Sequence, residues 1–386
     1  MTNMKIVYYL FLIVACVSCV VSEGSLRNAQ TEKLYANLKV MVDSGKTMFG
    51  QANPTTITYL DKLNHGDLSS GDCKDITGHN PAFHESDFMW YRDTSFMKRD
   101  IEALRSAKDR GAVIGYCWHI GGMKSNEFYA KNHKTGGMSA DSALVRAIVS
   151  SADRASNEAL NWLLTKLDSL VIPVMKSLDI PMTFRPWHEM NGEWFWWGRD
   201  CCTPEEYKAL YRLTVDYIRA SGVRNVIFVW SPDKSLPMEY YPGDDYVDVL
   251  GMDVYEPGIM EYSSYDKILP ALADMIRYAE EHDKLAALTE CGCRKSDEGA
   301  WRYPDEYPLF WGDNVLNKIL CNPSTSKLAW VMSWYGADWR GDRSNDVYIP
   351  YRGWQRPNSD IATEDFIRFV SSDKIITEDE ALNLYD

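Results

Sequence analysis

The stretch PMTFRPWHEMNGEWFWWG, residues 181–198, begins as an apolar run and breaks into a histidine, two glutamates and, in its EWFWWG ending, four aromatic rings. A continuous apolar run suits a parallel strand covered on both faces, whereas a half-exposed strand would alternate. Residues 181–187 therefore read as a strand with polar groups gathered at its C-terminal end. Seven more runs of this kind occur: KTMFGQA (46–52), SDFMWY (86–91), AVIGYCWHI (112–120), NVIFVWS (225–231), VDVLGMDVY (247–255), LAALTE (285–290) and LAWVMSW (328–334). Helix-patterned segments separate most of them. TPEEYKALYRLTVDYIRASG (203–222) has Thr203 as a cap, Pro204 in its first turn and Gly222 as its stop, and SYDKILPALADMIRYAEEHD (264–283) has the same apolar spacing. Between the fifth and sixth runs, PDKSLPMEYYPGDDY is short for a full helix. Eight alternations predict an α/β fold, a (β/α)8 TIM barrel.

No low-complexity linker or Pro/Ser-rich hinge divides residues 24–386, which read as one domain. The net charge of −14, without clustered Lys and Arg, excludes nucleic acid as a partner and favours a neutral or cationic one. Residues 1–22 read as a secretory signal segment: Lys5, a short apolar stretch from Ile6 to Val21, then small and polar residues with a cut before Glu23. The apolar run is too short for a membrane span. A rival reading takes Ile13 to Cys16 as a lipoprotein box with Cys16 acylated, which would tether the protein at the cell surface. Seven cysteines follow the leader, an odd number that leaves disulfide pairing open. Cys291-Gly-Cys293 has no second Cys or His pair at zinc-like spacing, so no metal is expected.

In such a barrel the chemistry sits where strands end and βα loops begin. Those ends carry Trp118 and His119, His188 and Glu189, Trp230, Asp253 and Tyr255, Glu290, and Trp334 and Tyr335. Glu189 and Glu290 close the fourth and seventh runs, which face each other across a closed rim. Two carboxyl groups flanking one bond are what glycoside hydrolysis needs: one protonates the leaving oxygen, the other attacks or stabilises the sugar carbon. A retaining enzyme sets them roughly 5–5.5 Å apart. Glu290, with Tyr255 and His188 as expected donors to it, is the candidate nucleophile, and Glu189 the candidate acid/base. Trp194 and Trp334 are candidate platforms for the C–H faces of sugars, while Asp253, Trp118 and His119 are candidate hydroxyl binders. Phe195 and Trp196 read as packing, and Glu193 as a solvated loop charge.

These residues resemble glycoside hydrolase family 26, mostly secreted β-mannanases, over nearly all of the chain after the leader. AQTEKLYANLKVMVDSGKTMFGQ (29–51) and DCKDITGHNPAF (72–83) are similar to the family's approach to its first two strands; RPWHEMNGEWFWWG, DVLGMDVY and LTE follow in the family's order. The resemblance implies a retaining mechanism with Glu189 as acid/base and Glu290 as nucleophile, no cofactor, and substrate contacts at His119, His188, Trp194, Tyr255 and Trp334. It implies a β-mannan as substrate, the WFWWG ending being similar to the mannanase branch; β-glucanase, β-1,3-xylanase and a catalytically silent carbohydrate-binding barrel are the alternatives. FGQAN lacks the histidine often found after FG, and AFHESDF is unusual, which bears on the outer sugar subsites.

Overall fold

The computed structural model describes residues 26–132, 135–256, 264–294, 303–381 and 384–386. The expected leader, with Cys16, lies outside them. Among the described residues eight parallel strands close a barrel: β1 (Thr47–Ala52), β2 (Phe83–Asp87), β3 (Val113–Cys117), β4 (Met182–Arg185), β5 (Val226–Trp230), β6 (Val249–Glu256), β7 (Leu285–Cys293) and β8 (Trp330–Ser333). Closure is made by β1, which pairs with β8 (Met48 opposite Trp330) and with β2 (Gly50 opposite Phe83). A two-residue β9 (Ile375–Ile376) adds to β1 outside the ring. The expected (β/α)8 barrel is therefore the observed fold.

Seven of the eight runs fall on their strands; the second does not. The expected strand at 86–91 lies instead at Phe83–Asp87, and Phe88–Arg92 is a 3₁₀ turn. The cause is the polarity of FHESD. His84, Glu85, Ser86 and Asp87 are all buried and hydrogen-bonded, so hydropathy alone shifts the strand onto the apolar residues that follow. The segment between β5 and β6 holds only a one-turn 3₁₀ helix, Met238–Tyr240, as its length requires. The helix Pro204–Ala220 begins with a full capping box, in which Thr203 and Glu206 satisfy each other's backbone N–H groups.

Inside the barrel, side chains of alternate residues form layers. Val249, Leu285, Ala287, Ile227 and Val229 pack with Met48, Phe83 and Trp330 in the lower, apolar part, which the helix Ala29–Asp43 covers with Leu34 and Leu38. One layer higher the interior turns ionic, with Glu85, Arg185, Asp253 and Glu290. A second apolar core fills the shell between strands and helices, with Phe184, Phe228, Leu250 and Leu288 pointing outward. No helix among the described residues is long and apolar enough to cross a membrane.

Candidate active site

The strand ends surround a cleft of about 390 Å³, lined by His119, His188, Glu189, Trp194, Phe195, Tyr255, Glu290 and Trp334 together with Met89, Tyr129, Asp233, Arg294 and Tyr335. Of the catalytic and substrate-binding residues assigned from sequence, all but Asp253 and Trp118 lie on this wall.

Glu290 owes its direction to a register shift. Met252 of β6 pairs with Leu288 of β7, but Asp253 pairs with Glu290, so Thr289 is an extra residue. Such bulges re-aim side chains beside active sites. Thr289 follows the outward Leu288 and points into the barrel, where its hydroxyl donates to Asp253 at 2.6 Å. In an unbroken strand the next residue would face the helical shell. The bulge returns Glu290 to the interior, where Oε1 accepts from Arg185 Nη2 at 2.7 Å and Oε2 from the Tyr255 hydroxyl at 2.6 Å.

Glu189 sits in a turn with left-handed backbone, φ +55°, two residues after Trp187 at φ +57°. Non-glycine residues in that region carry strain that the surroundings must hold. The aromatic ending of the motif supplies much of that hold. Trp197 Nε1 donates to the His188 carbonyl at 2.8 Å, Tyr207 Oη to the Trp187 carbonyl at 3.0 Å, and Trp187 Nε1 to Thr214 at 3.0 Å. Trp196 Nε1 reaches the Ile120 carbonyl at 2.9 Å, and Phe195 stacks on Trp197 with ring centroids 4.5 Å apart. Trp194, half-buried, donates its indole N–H to Glu189 Oε2 at 2.6 Å. A Cβ on Gly192 would stand 2.4 Å from the Trp194 indole, so only glycine admits the ring there.

One carboxylate oxygen each from Glu189, Asp253 and Glu290 lies within 4.8 Å of the other two. Burial first, then the negative charges of Glu290 and Asp233, push the Glu189 carboxyl up to about 7, against the pull of Arg294 and the Trp194 N–H. The trio resembles a cation site by proximity alone. Asp253 already accepts from Arg185, Ser231 and Thr289, and both Glu290 oxygens are engaged, so the Arg185 guanidinium stands where an ion's charge would be needed.

Three expectations are corrected here. Asp253, a candidate hydroxyl binder, has no exposed surface; it lies below the cleft and its oxygens are taken by Arg185, Ser231 and Thr289. His188 does not donate to Glu290. Its ring turns to His119, Nε2 to Nε2 at 3.1 Å, and Arg185 serves Glu290 instead. Trp118 packs on Trp187 in the outer core and does not reach the cleft.

His119 and His188 form a pair with opposite character. Burial depresses the His119 pKa, but the Asp87 carboxylate, accepting from Nδ1 at 2.6 Å, outweighs it and leaves that pKa raised. His188 is held neutral by burial and by the positive charge of His119 and Arg185. We assign the shared proton to His119 Nε2, which leaves the His188 Nδ1–H buried and without a partner among the described residues.

Sequence reasoning missed Arg185, Glu85, Asp233 and Arg294. Arg185 is fully buried and holds Glu85 at 2.6 Å, Asp253 at 3.0 Å and Glu290 at 2.7 Å. Arg294 lies over the Tyr255 ring, 3.9 Å from its centroid. Arg185 stood inside the opening motif, three residues before His188, and inward alternation along β4 was the signal that could have found it.

The family model of glycosyl hydrolase family 26 matches residues 25–295. A mannan endo-1,4-beta-mannosidase of Bifidobacterium adolescentis is 29% identical over 373 residues, covering 90% of this chain and 34% of that protein. One of Bacillus subtilis is 28% identical over 302 residues, covering 70% of this chain and 76% of that protein. The chain thus spans about a third of the length of the Bifidobacterium relative. Among solved structures, a family 26 beta-mannanase from Bacteroides ovatus superposes with a TM-score of 0.70 at 29% identity, covering 93% of this chain and 98% of that one. With the family model spanning more than two thirds of the residues and the barrel matched nearly end to end, this chain belongs to glycosyl hydrolase family 26.

Proposed function

We propose that the chain is a secreted, retaining endo-β-1,4-mannanase, exported by the leader at residues 1–22, with Glu189 as acid/base and Glu290 as nucleophile. The observation that carries this reading is the approach of the two carboxylates to within 4.8 Å across one cleft, too close for the water an inverting enzyme places between them. The substrate class follows from the relatives that carry a mannan endo-1,4-beta-mannosidase name over most of this chain.

Glu290, oriented by Arg185 and Tyr255, attacks the anomeric carbon as the glycosidic C–O bond breaks, while Glu189 gives its proton to the leaving oxygen. A glycosyl ester on Glu290 results. The freed Glu189 carboxylate then takes a proton from water, the oxygen attacks the same carbon, and Glu290 leaves as a carboxylate. The raised pKa of Glu189 suits both roles, since it holds a proton for the first step and accepts one in the second. His119, His188, Trp194, Tyr255 and Trp334 line the sugar's path. The test is a polysaccharide panel with product sizing. Rapid conversion of mannan or glucomannan to mixed oligosaccharides, with lichenan, xylan and cellulose cleaved far more slowly, is expected. A preference for lichenan or xylan, or no hydrolysis of any of them, overturns the reading.

A further inference from the structure

From the cleft an aromatic track runs outward over the loops that follow β8 and β2. Trp334 and Tyr335 line the cleft, their ring centroids 5.0 Å apart. Tyr335 meets Trp90 at 5.8 Å, and Trp90 in turn stacks with Trp339 at 5.6 Å and an interplanar angle of 30°. Trp339 is 40% exposed, the one exposed tryptophan among the described residues. The other described tryptophans are buried or half-buried, as expected of a ring of this size, which gains most by being covered.

The loop is built to hold that ring out. Asp338, 6% exposed, accepts from the backbone N–H of Gly341 at 3.1 Å and of Arg343 at 3.0 Å, and Arg340 N–H donates to the Asn345 side chain at 3.3 Å. The Trp90 indole N–H beneath is buried and has no hydrogen-bond partner among the described residues. A flat, solvent-facing ring stacked on a second tryptophan, at the end of an aromatic path from the cleft, suits one kind of occupant. Pyranose rings bring an apolar C–H face that such a ring can stack on.

We infer that Trp339, backed by Trp90, forms a distal sugar-binding subsite that holds a pyranose unit of the polysaccharide well away from the bond being cleaved. The inference rests on the reading of the chain as a β-mannan hydrolase. A chain too short to reach Trp339 gains nothing from it, whereas a long one gains binding that is passed on to kcat/KM.

The experiment is a series of β-1,4-manno-oligosaccharides, from the shortest that wild type cleaves to the hexaose, on wild type, Trp339→Ala and Trp339→Tyr. Trp339→Ala is expected to lower kcat/KM on mannohexaose about tenfold, the effect of one lost aromatic stack, with the shortest substrate within about twofold of wild type. Trp339→Tyr, which keeps a platform, recovers most of the loss. An equal loss at every chain length assigns the ring to packing and overturns the subsite, as does no loss at any length. A wild-type protein that cleaves none of the series refutes the mannanase reading itself and takes this inference with it.

Discussion

Arg185 Nη2 lies 2.7 Å from Glu290 Oε1, and the arginine has no exposed surface. The same guanidinium faces Glu85 and Asp253, so one cation is shared by three buried acidic groups. Burial lowers the arginine's pKa, but the three acids outweigh it and keep it charged. The orientation of Glu290 and the stability of the barrel's upper layer thus rest on one residue.

Removing that cation leaves three acids facing each other in a medium that screens poorly. Arg185→Met is expected to lower unfolding stability by about 3–5 kcal/mol, the usual cost of stranding a buried charge, and to abolish turnover. Denaturant unfolding checks this; a midpoint like that of wild type contradicts the account.

In the proposed mechanism the carboxyl of Glu189, raised to about 7, must carry a proton for the first step. Deprotonation above that value removes the acid, so kcat/KM is expected to fall as pH rises through about 7. Arg294 pulls this pKa down, and Arg294→Met removes the pull. The alkaline limb should therefore move to higher pH in that variant. A pH profile measures it, and a limb that stays put or moves to lower pH contradicts the electrostatic role of Arg294.

A general acid matters only when the leaving group needs a proton. Glu189→Gln is expected to cut kcat on mannan by about 100- to 10,000-fold, yet to glycosylate Glu290 rapidly from an aryl mannoside whose phenolate leaves unaided. Glu290→Gln should be inactive on both. Comparable loss on both substrates in Glu189→Gln, measured by stopped-flow release of the phenolate, would falsify the assignment of acid/base to Glu189.

Gly192 makes room for Trp194, whose indole N–H bonds Glu189. Gly192→Ala should push the ring away and remove a donor that favours the ionised carboxylate, raising the Glu189 pKa as Trp194→Phe does. Parallel shifts of the alkaline limb in the two variants are expected. A shift in only one of them uncouples the glycine from the tryptophan.

The barrel was legible because strands covered on both faces are apolar at nearly every position, and seven of the eight were placed on that ground. FHESD escaped because its buried acids answer Arg185 and His119, partners 100 and 32 residues away. Glu189 and Glu290 were legible as strand-end carboxylates. The bulge at Thr289 was not, since one extra residue leaves no mark in a run as uniform as LAALTE, and without it Glu290 would face the helices. Asp253 was read as a substrate contact because it ends a strand; its burial follows from where Arg185 points, which no local pattern encodes. The EWFWWG rings divide by their nitrogens: Trp196 and Trp197 brace backbone carbonyls, while Trp194 serves Glu189.

Identifying the residue that carries the sugar is the most direct test of the two-carboxylate account. An activated 2-deoxy-2-fluoro mannoside should glycosylate the enzyme and hydrolyse slowly, because fluorine destabilises the charge that builds on the sugar in both steps. Peptide mass spectrometry of the inactivated protein is expected to find one sugar, on the peptide and at the residue Glu290. A sugar on any other residue would contradict a double displacement through Glu290.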